Sequence, residues 1–195
     1  MILFINACVR KDSRTKLLAD YLLEKLPREV EEVKLSEVDF PVADEAFLTL
    51  RDELVSSGET AHPLLAFARQ FAAADTIVIA APYWDLSFPA SLKQYLEQIN
   101  VTGITFRYTE EGIPMGLCRA KHLYYVATAG GPYVPEEYGY GYVKAMANAY
   151  YGITDTSYIC APGLDVYGAD EARILQEARE QIDALFPASN PVKAD

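Results

Sequence analysis

The stretch Thr76-Ile77-Val78-Ile79-Ala80-Ala81, an unbroken apolar run of strand length closed by Pro82, limits the possible folds most sharply. A strand with one face in water alternates apolar and polar residues. A run without alternation is covered on both faces, the condition of a central strand in a parallel sheet. Parallel neighbours need crossover segments, usually helices, so the rest of the chain must supply them. Ile2-Leu3-Phe4-Ile5 is a second such run and forms the first strand. Ser13 caps a helix through Lys25, with Leu17, Leu18, Tyr21, Leu22 and Leu26 at helical spacing and Pro27 as its stop. Glu31 to Leu35 is a more polar strand suited to an edge. Pro63 opens a helix to Ala74, and Ala90 to Ile99 forms the next. His122 to Thr128 is the fourth strand and Ser157 to Ala161 the fifth, with helices over Lys144 to Tyr151 and Ala169 to Phe186. Residues 36–61 carry only a loose helical pattern from Asp44 to Val55, and Thr105 to Thr109 resembles one arm of an inserted hairpin. Strands alternate with helices throughout, which defines an α/β class.

At 195 residues and 51% hydrophobic, the chain can bury a substantial core, and we expect one domain over 1–186 with 187–195 as a tail. The net charge of -11 argues against nucleic acid or an anionic membrane as partner, since both attract cationic surface. No basic stretch precedes the first apolar run and no segment has membrane-spanning length, so a soluble, cytoplasmic protein is expected. Cys8, Cys118 and Cys160 lie too far apart for a zinc pattern and are odd in number, so no metal and no disulfide framework is expected.

In an open α/β sheet, ligands bind beyond the carboxyl ends of the strands where strand order reverses. Three loops fall there. The first runs from Cys8 to Thr15, and Arg10, Lys11, Arg14 and Lys16 against Asp12 give it a local charge of +3 in a strongly negative chain. A helix amino terminus presents unpaired N–H groups and a partial positive charge, to which Ser13 and Thr15 add hydroxyls: a seat for phosphate. The competing interpretation is an exposed cationic turn that touches only water. The second loop, Pro82-Tyr83-Trp84-Asp85-Leu86, can lay aromatic faces against a planar ring, although aromatic residues more often simply bury surface. In the third, Thr128-Ala129-Gly130-Gly131, the glycines let backbone amides approach a ligand closely. Phosphate seat, aromatic loop and bare backbone together suit a phosphorylated planar cofactor, and flavin mononucleotide (FMN) is the economical choice. Nine of the 14 tyrosines fall between Tyr124 and Tyr158. Most should pack helices on the sheet, and Tyr133, in Gly-Gly-Pro-Tyr, is the best placed for a flat aromatic substrate.

One rival is sharper. Cys8 through Arg14 followed by Thr15 resembles the Cys-x5-Arg-Ser/Thr signature of cysteine-dependent tyrosine phosphatases, in which the thiolate attacks phosphorus and the arginine holds its oxygens. That family takes its general acid from an Asp-Pro dipeptide, and none occurs here; Asp12 would also repel a substrate dianion.

The runs Ile77 to Pro82, Ser91-Leu92-Lys93-Gln94-Tyr95 and, most specifically, Gly103 to Gly112 resemble the FMN-dependent NADH:azoreductases, a flavodoxin-like group allied to the NAD(P)H:quinone oxidoreductases. This resemblance implies a doubly wound five-stranded parallel sheet of order 2-1-3-4-5, with helices on both faces and a small inserted hairpin. It implies bound FMN, NADH or NADPH as co-substrate, and ping-pong hydride transfer to quinones, azo compounds or nitroaromatics. Ser13 and Thr15 correspond to the Ser-x-Ser that holds the phosphate, Tyr83 to Leu86 to a Met-Tyr-Asn-Phe loop along the ring, and Thr128 to Gly131 to Ser-Arg-Gly-Gly. Tyr108 corresponds to a tyrosine that reaches the neighbouring subunit's site, so a homodimer is implied. The departures are Asn6-Ala7 for a serine pair, Ala129 for arginine and Asp85 for asparagine. A carboxylate ~5 Å from a reduced anionic flavin costs roughly 3 kcal/mol at an effective dielectric near 20, or roughly 70 mV toward lower potential, unless Asp85 is protonated or turned away. A flavodoxin-like electron carrier that does not turn over nicotinamide is the alternative within the same fold.

Overall fold

The structure, a computed structural model, describes residues 1–187. Five parallel strands form its sheet: β1 (Ile2–Asn6), β2 (Val30–Lys34), β3 (Thr76–Ala80), β6 (His122–Thr128) and β7 (Asp155–Ala161), in the order β2-β1-β3-β6-β7. Counting only these strands, the order is the expected 2-1-3-4-5. The short strands β4 (Phe106–Tyr108) and β5 (Pro114–Gly116) pair antiparallel as a separate hairpin. The hairpin's second arm escaped sequence reasoning because it is three residues long and starts with proline, which weakens any strand pattern.

The non-alternating runs are central, as their composition demands. All five residues of β1 are buried, and β3 is covered on both faces. One face carries Leu3, Ile5, Ile77 and Ile79 beneath α3 (Ala66–Ala73), α4 (Ala90–Ile99) and α5 (Tyr140–Met146), which supply Phe71, Leu92, Leu96 and Val143. The opposite face carries Ile2, Phe4, Val78 and Val126 beneath α1 (Arg14–Glu24) and α6 (Glu171–Leu185), through Leu18, Leu22 and Ile182. Each fully buried Leu, Ile or Phe contributes about 1.5–3 kcal/mol, so the two faces of the sheet dominate stability. The loose pattern after residue 43 is a genuine helix, α2 (Glu45–Ser56), whose cap Asp44 accepts from the Phe47 N–H at 2.9 Å. A 3-10 turn over Pro63–Leu65 precedes α3, and His62 caps it by accepting from the Leu64 N–H.

Two boundaries differ from expectation. β7 begins at Asp155, because Asp155 and Thr156 pair with His122 and Leu123 although they are too polar to read as strand. The helix expected from Lys144 begins at Tyr140 and ends in a π turn over Ala147–Tyr151, closed by Gly152 at φ 73°. Most of the clustered tyrosines are structural: Tyr125 and Tyr151 are buried, and Tyr140 stacks on Tyr158 with centroids 4.6 Å apart. No helix among the described residues is long and apolar enough to cross a membrane. Of the expected tail, residues 188–195 lie outside those described.

At the amino ends of the strands, Asp75 receives the Met1 amino group, Arg119 and Arg28. Nearby, His122 bridges β6 and β7, with Nδ1 2.8 Å from Asp155 Oδ2 and Nε2 3.0 Å from Ser157 Oγ. Both groups lie far from the carboxyl ends, so the histidine has a cross-strand structural role.

Candidate functional site

From β1 the chain passes to β2 on one side and then returns to β3 on the other, so the loops after β1 and β3 diverge above neighbouring strands. Backbone pairing continues past the strand ends and fixes where those loops start. The Ala7 N–H donates to the Ala80 carbonyl (2.9 Å), Tyr83 to Thr128 (2.9 Å) and Ala129 to Ala161 (3.0 Å). Between the loops lies a cavity of about 260 Å³.

The first loop turns on Asn6, whose Oδ1 accepts from the Cys8 N–H at 2.9 Å while its Nδ2 donates to Glu32 at 2.8 Å. Ser13 then caps α1 by accepting from the Lys16 N–H, and Arg10, Ser13, Arg14 and Thr15 all line the cavity. The Thr15 hydroxyl is buried and lies 2.6 Å from that of Thr128, tying the start of α1 to the end of β6. The local charge is more balanced than the sequence implied. Lys16 pairs with Asp20 at 2.6 Å, and Arg14 pairs with Asp165 at 2.8 Å and with Glu171 at 3.5 Å.

Pro82, Tyr83 and Trp84 of the second loop also line the cavity. Tyr83 donates to the Pro135 carbonyl at 3.1 Å, and burial pushes its hydroxyl pKa up. Trp84 and Ser87 exchange two backbone bonds around a tight turn, with Asp85 at φ 50° and Leu86 at φ 67°. Positive φ at both central positions is the signature of a type I′ hairpin turn. Asp tolerates it, whereas Leu there costs on the order of 1–3 kcal/mol. Asp85 and Leu86 are exposed and stand outside the cavity lining.

From the third loop, Thr128 and Gly130 line the cavity, while Ala129 is buried and Gly131 lies beyond the lining. Tyr108, on β4, and Tyr133 are exposed and lie outside the lining as well. Sequence reasoning left three lining residues out of the site, Val9, Asp12 and Asp165. Asp165 arrives on the loop after β7, which a search confined to the strands around the order reversal passes over. The signal available was an unmatched Arg14 in need of a partner.

The phosphatase reading fails on geometry. Cys8 is buried, its Sγ rests against the Ala80 carbonyl at 3.9 Å, and burial pushes its thiol pKa up, the reverse of what a thiolate nucleophile needs. Arg14, which would have to grip the phosphoryl group, is held by Asp165 instead.

The donor set fits FMN: a capped helix amino terminus with hydroxyls and Arg10 for a phosphate, a half-exposed Trp84 for a ring, and the bare backbone of Gly130 between them. A family profile described as "Flavodoxin-like fold" matches residues 1–186. The chain is 38% identical over 191 residues to FMN-dependent NADH:quinone oxidoreductase 2 of Clostridium acetobutylicum, covering 92% of this chain and 94% of that one. The crystal structure of an azoreductase from Bacillus anthracis str. Sterne superposes with a TM-score of 0.80 at 24% identity, over 94% of this chain and 97% of that chain. An FMN-dependent NADH-azoreductase from Bacillus anthracis str. Ames Ancestor, solved in complex with FMN, superposes at 0.75 and 25% identity, over 94% and 96%. With a fold and a sequence that match over nearly its whole length, the chain belongs to the flavodoxin-like fold family and, within it, to the FMN-dependent NADH:quinone oxidoreductases.

Proposed function

We propose that this protein is an FMN-dependent NAD(P)H oxidoreductase that reduces quinones and azo or nitroaromatic compounds. The carrying observation is the coincidence of two things: a relative named for this activity that matches 92% of the chain, and a cavity at the strand-order reversal whose donors suit FMN. When bound, FMN supplies the two-electron redox chemistry. The residues of the chain bind and orient. The amino terminus of α1, with Ser13, Thr15 and Arg10, holds the phosphate; Tyr83 and Trp84 border the ring; Gly130 leaves room for its polar edge. Pro82 and Thr128 complete the walls around these contacts with Arg14, and Asp85, Leu86, Ala129 and Gly131, outside the lining, belong to the loops that carry them. No acid or base is required in a hydride step, which agrees with a cavity lining that contains no histidine among the described residues.

We further assign the molecule as a cytoplasmic homodimer of one-domain subunits (1–186) that works by ping-pong exchange at one site. Support for the dimer comes from the hairpin, which exposes Tyr108, Ile113, Met115 and Leu117, an apolar surface that a second subunit can cover. Support for one shared site comes from the cavity beside Trp84, against which either nicotinamide or a flat acceptor can stack. Tyr133, exposed on the loop after Gly131, is our candidate to meet the acceptor.

The test is direct. Purified protein should be yellow, release FMN on denaturation, and oxidise NADH or NADPH in the presence of a quinone. Steady-state rates over both substrates should give the parallel double-reciprocal lines of ping-pong kinetics. A colourless protein that stays so with excess FMN refutes the assignment, and FMN binding without nicotinamide oxidation leaves the electron carrier in its place.

A further inference from the structure

One of the lining residues that sequence reasoning missed stands where an anion is expected. Asp165 projects into the cavity from the loop after β7, and both of its carboxylate oxygens have a definite position. Oδ1 lies 2.8 Å from Arg14 Nη2. Oδ2 hangs over Gly130 so closely that a side chain there would begin 2.3 Å from it. Three backbone bonds hold the segment in place: the Gly163 N–H donates to the Gly131 carbonyl (2.9 Å), Leu164 to Ala129 (3.1 Å) and Asp165 to Gly130 (2.9 Å). Those bonds fix the backbone of Asp165, and its carboxylate, on a side chain 65% exposed, is tied to Arg14. It bridges two of the features expected to receive a ligand, the Arg14 guanidinium and the bare Gly130 backbone. Glu171, 3.5 Å from Nη1, adds a second acid on the solvent side of the same guanidinium.

We infer that Asp165 is a built-in competitor for the anion seat: it pairs with Arg14, and the phosphate group of the cofactor takes its place on binding. This rests on reading the cavity as the FMN site. Asp165 and Asp12 offset Arg14 and Arg10 among the lining side chains, so an arriving dianion must displace the Asp165 carboxylate to reach the Arg14 guanidinium. Guanidinium contacts to phosphate are stronger and more directional than a single-point carboxylate contact, which makes the exchange favourable but not free. The chain thereby holds FMN less tightly than its donor set alone would permit. It also discriminates: riboflavin has the same ring and sugar chain but no phosphate, so it cannot displace Asp165 from Arg14.

The test is binding to flavin-free protein, followed by quenching of flavin fluorescence, with FMN and riboflavin as probes. Asp165→Asn should tighten FMN about tenfold and leave riboflavin unchanged, and the gain should grow at low ionic strength. In an Arg14→Gln background the same substitution should produce no gain. Asp165→Ser, which keeps the loop short and polar, guards against a local folding defect in Asp165→Asn, with circular dichroism and the thermal midpoint as checks. Unchanged or weaker FMN binding by both folded variants overturns the inference and makes Asp165 a residue that positions Arg14 for the phosphate. A gain that survives in the Arg14→Gln background overturns it too. Failure of the unmodified protein to bind FMN at all refutes the site assignment itself, a result distinguishable from either.

Discussion

At the scale of single residues, the site is held together by a few short contacts with large consequences. The Thr15 and Thr128 hydroxyls share a buried 2.6 Å hydrogen bond, and replacing one of them leaves the other without a partner. Thr15→Val should therefore lower the stability of the flavin-free protein by about 1–3 kcal/mol, and the double replacement with Thr128→Val should cost less than the sum of the two. Chemical denaturation of the four proteins completes that cycle, and additive losses would show that the bond carries no coupling. Asp85 adds a carboxylate to the aromatic loop, but it sits in an exposed turn outside the cavity lining, where water screens it. Asp85→Asn should accordingly raise the flavin midpoint potential by less than the roughly 70 mV bound set by a charge ~5 Å away. An unchanged potential would remove Asp85 from any part in tuning, and a lower one would contradict the sign of the charge effect. Residue types and loop positions made Ser13, Thr15, Trp84 and Gly130 legible in the sequence. Asp165 was not legible, because its place in the site depends on a backbone ladder from another strand, which no local pattern reports.

At the scale of elements, legibility followed burial. The central strands were plain because burial on both faces forces an unbroken apolar run, whereas β7, an edge, starts with Asp155 and Thr156 and so hid its first turn of the ladder. The helix over Glu45–Ser56 showed only a loose pattern because it buries little more than Phe47 and Leu54. The hairpin depends on something no periodicity encodes. Gly116 of β5 packs directly on the π turn after α5, and an added Cβ would lie 2.2 Å from the Gly152 nitrogen and the Tyr151 carbonyl carbon. Both neighbours are backbone and cannot step aside. Gly116→Ala should cost about 2–3 kcal/mol, close to the upper range for overpacking, and should displace the hairpin with Tyr108 on it. If the proposed dimer depends on that hairpin, sedimentation of the same variant will show dissociation, while an intact dimer of native stability would contradict the packing argument.

At the scale of the whole molecule, the two ends of the sheet have separate duties. The amino ends are fastened by charge: the Met1 amino group, then Arg119, holds the Asp75 carboxyl well below the usual carboxylate range. A carboxyl depressed in the folded state stabilises above its unfolded pKa near 3.8 and loses that contribution as pH falls toward the folded value. Asp75→Asn should thus lower stability at neutral pH and flatten the acid limb below about pH 4, read from unfolding midpoints across pH. A parallel offset at every pH would rule out the linkage. The carboxyl ends are instead extended by backbone: the pairing of residues 163–165 with 129–131 carries the ladder beyond Ala161 and Thr128, up to the rim of the cavity. What looks like a flexible mouth is, in its hydrogen bonding, more sheet. The amides of Ala129, Leu164 and Asp165 should accordingly surrender deuterium as slowly as the strand interior, with or without a bound ligand, so whatever moves when a flavin is loaded must be side chains rather than the frame around them.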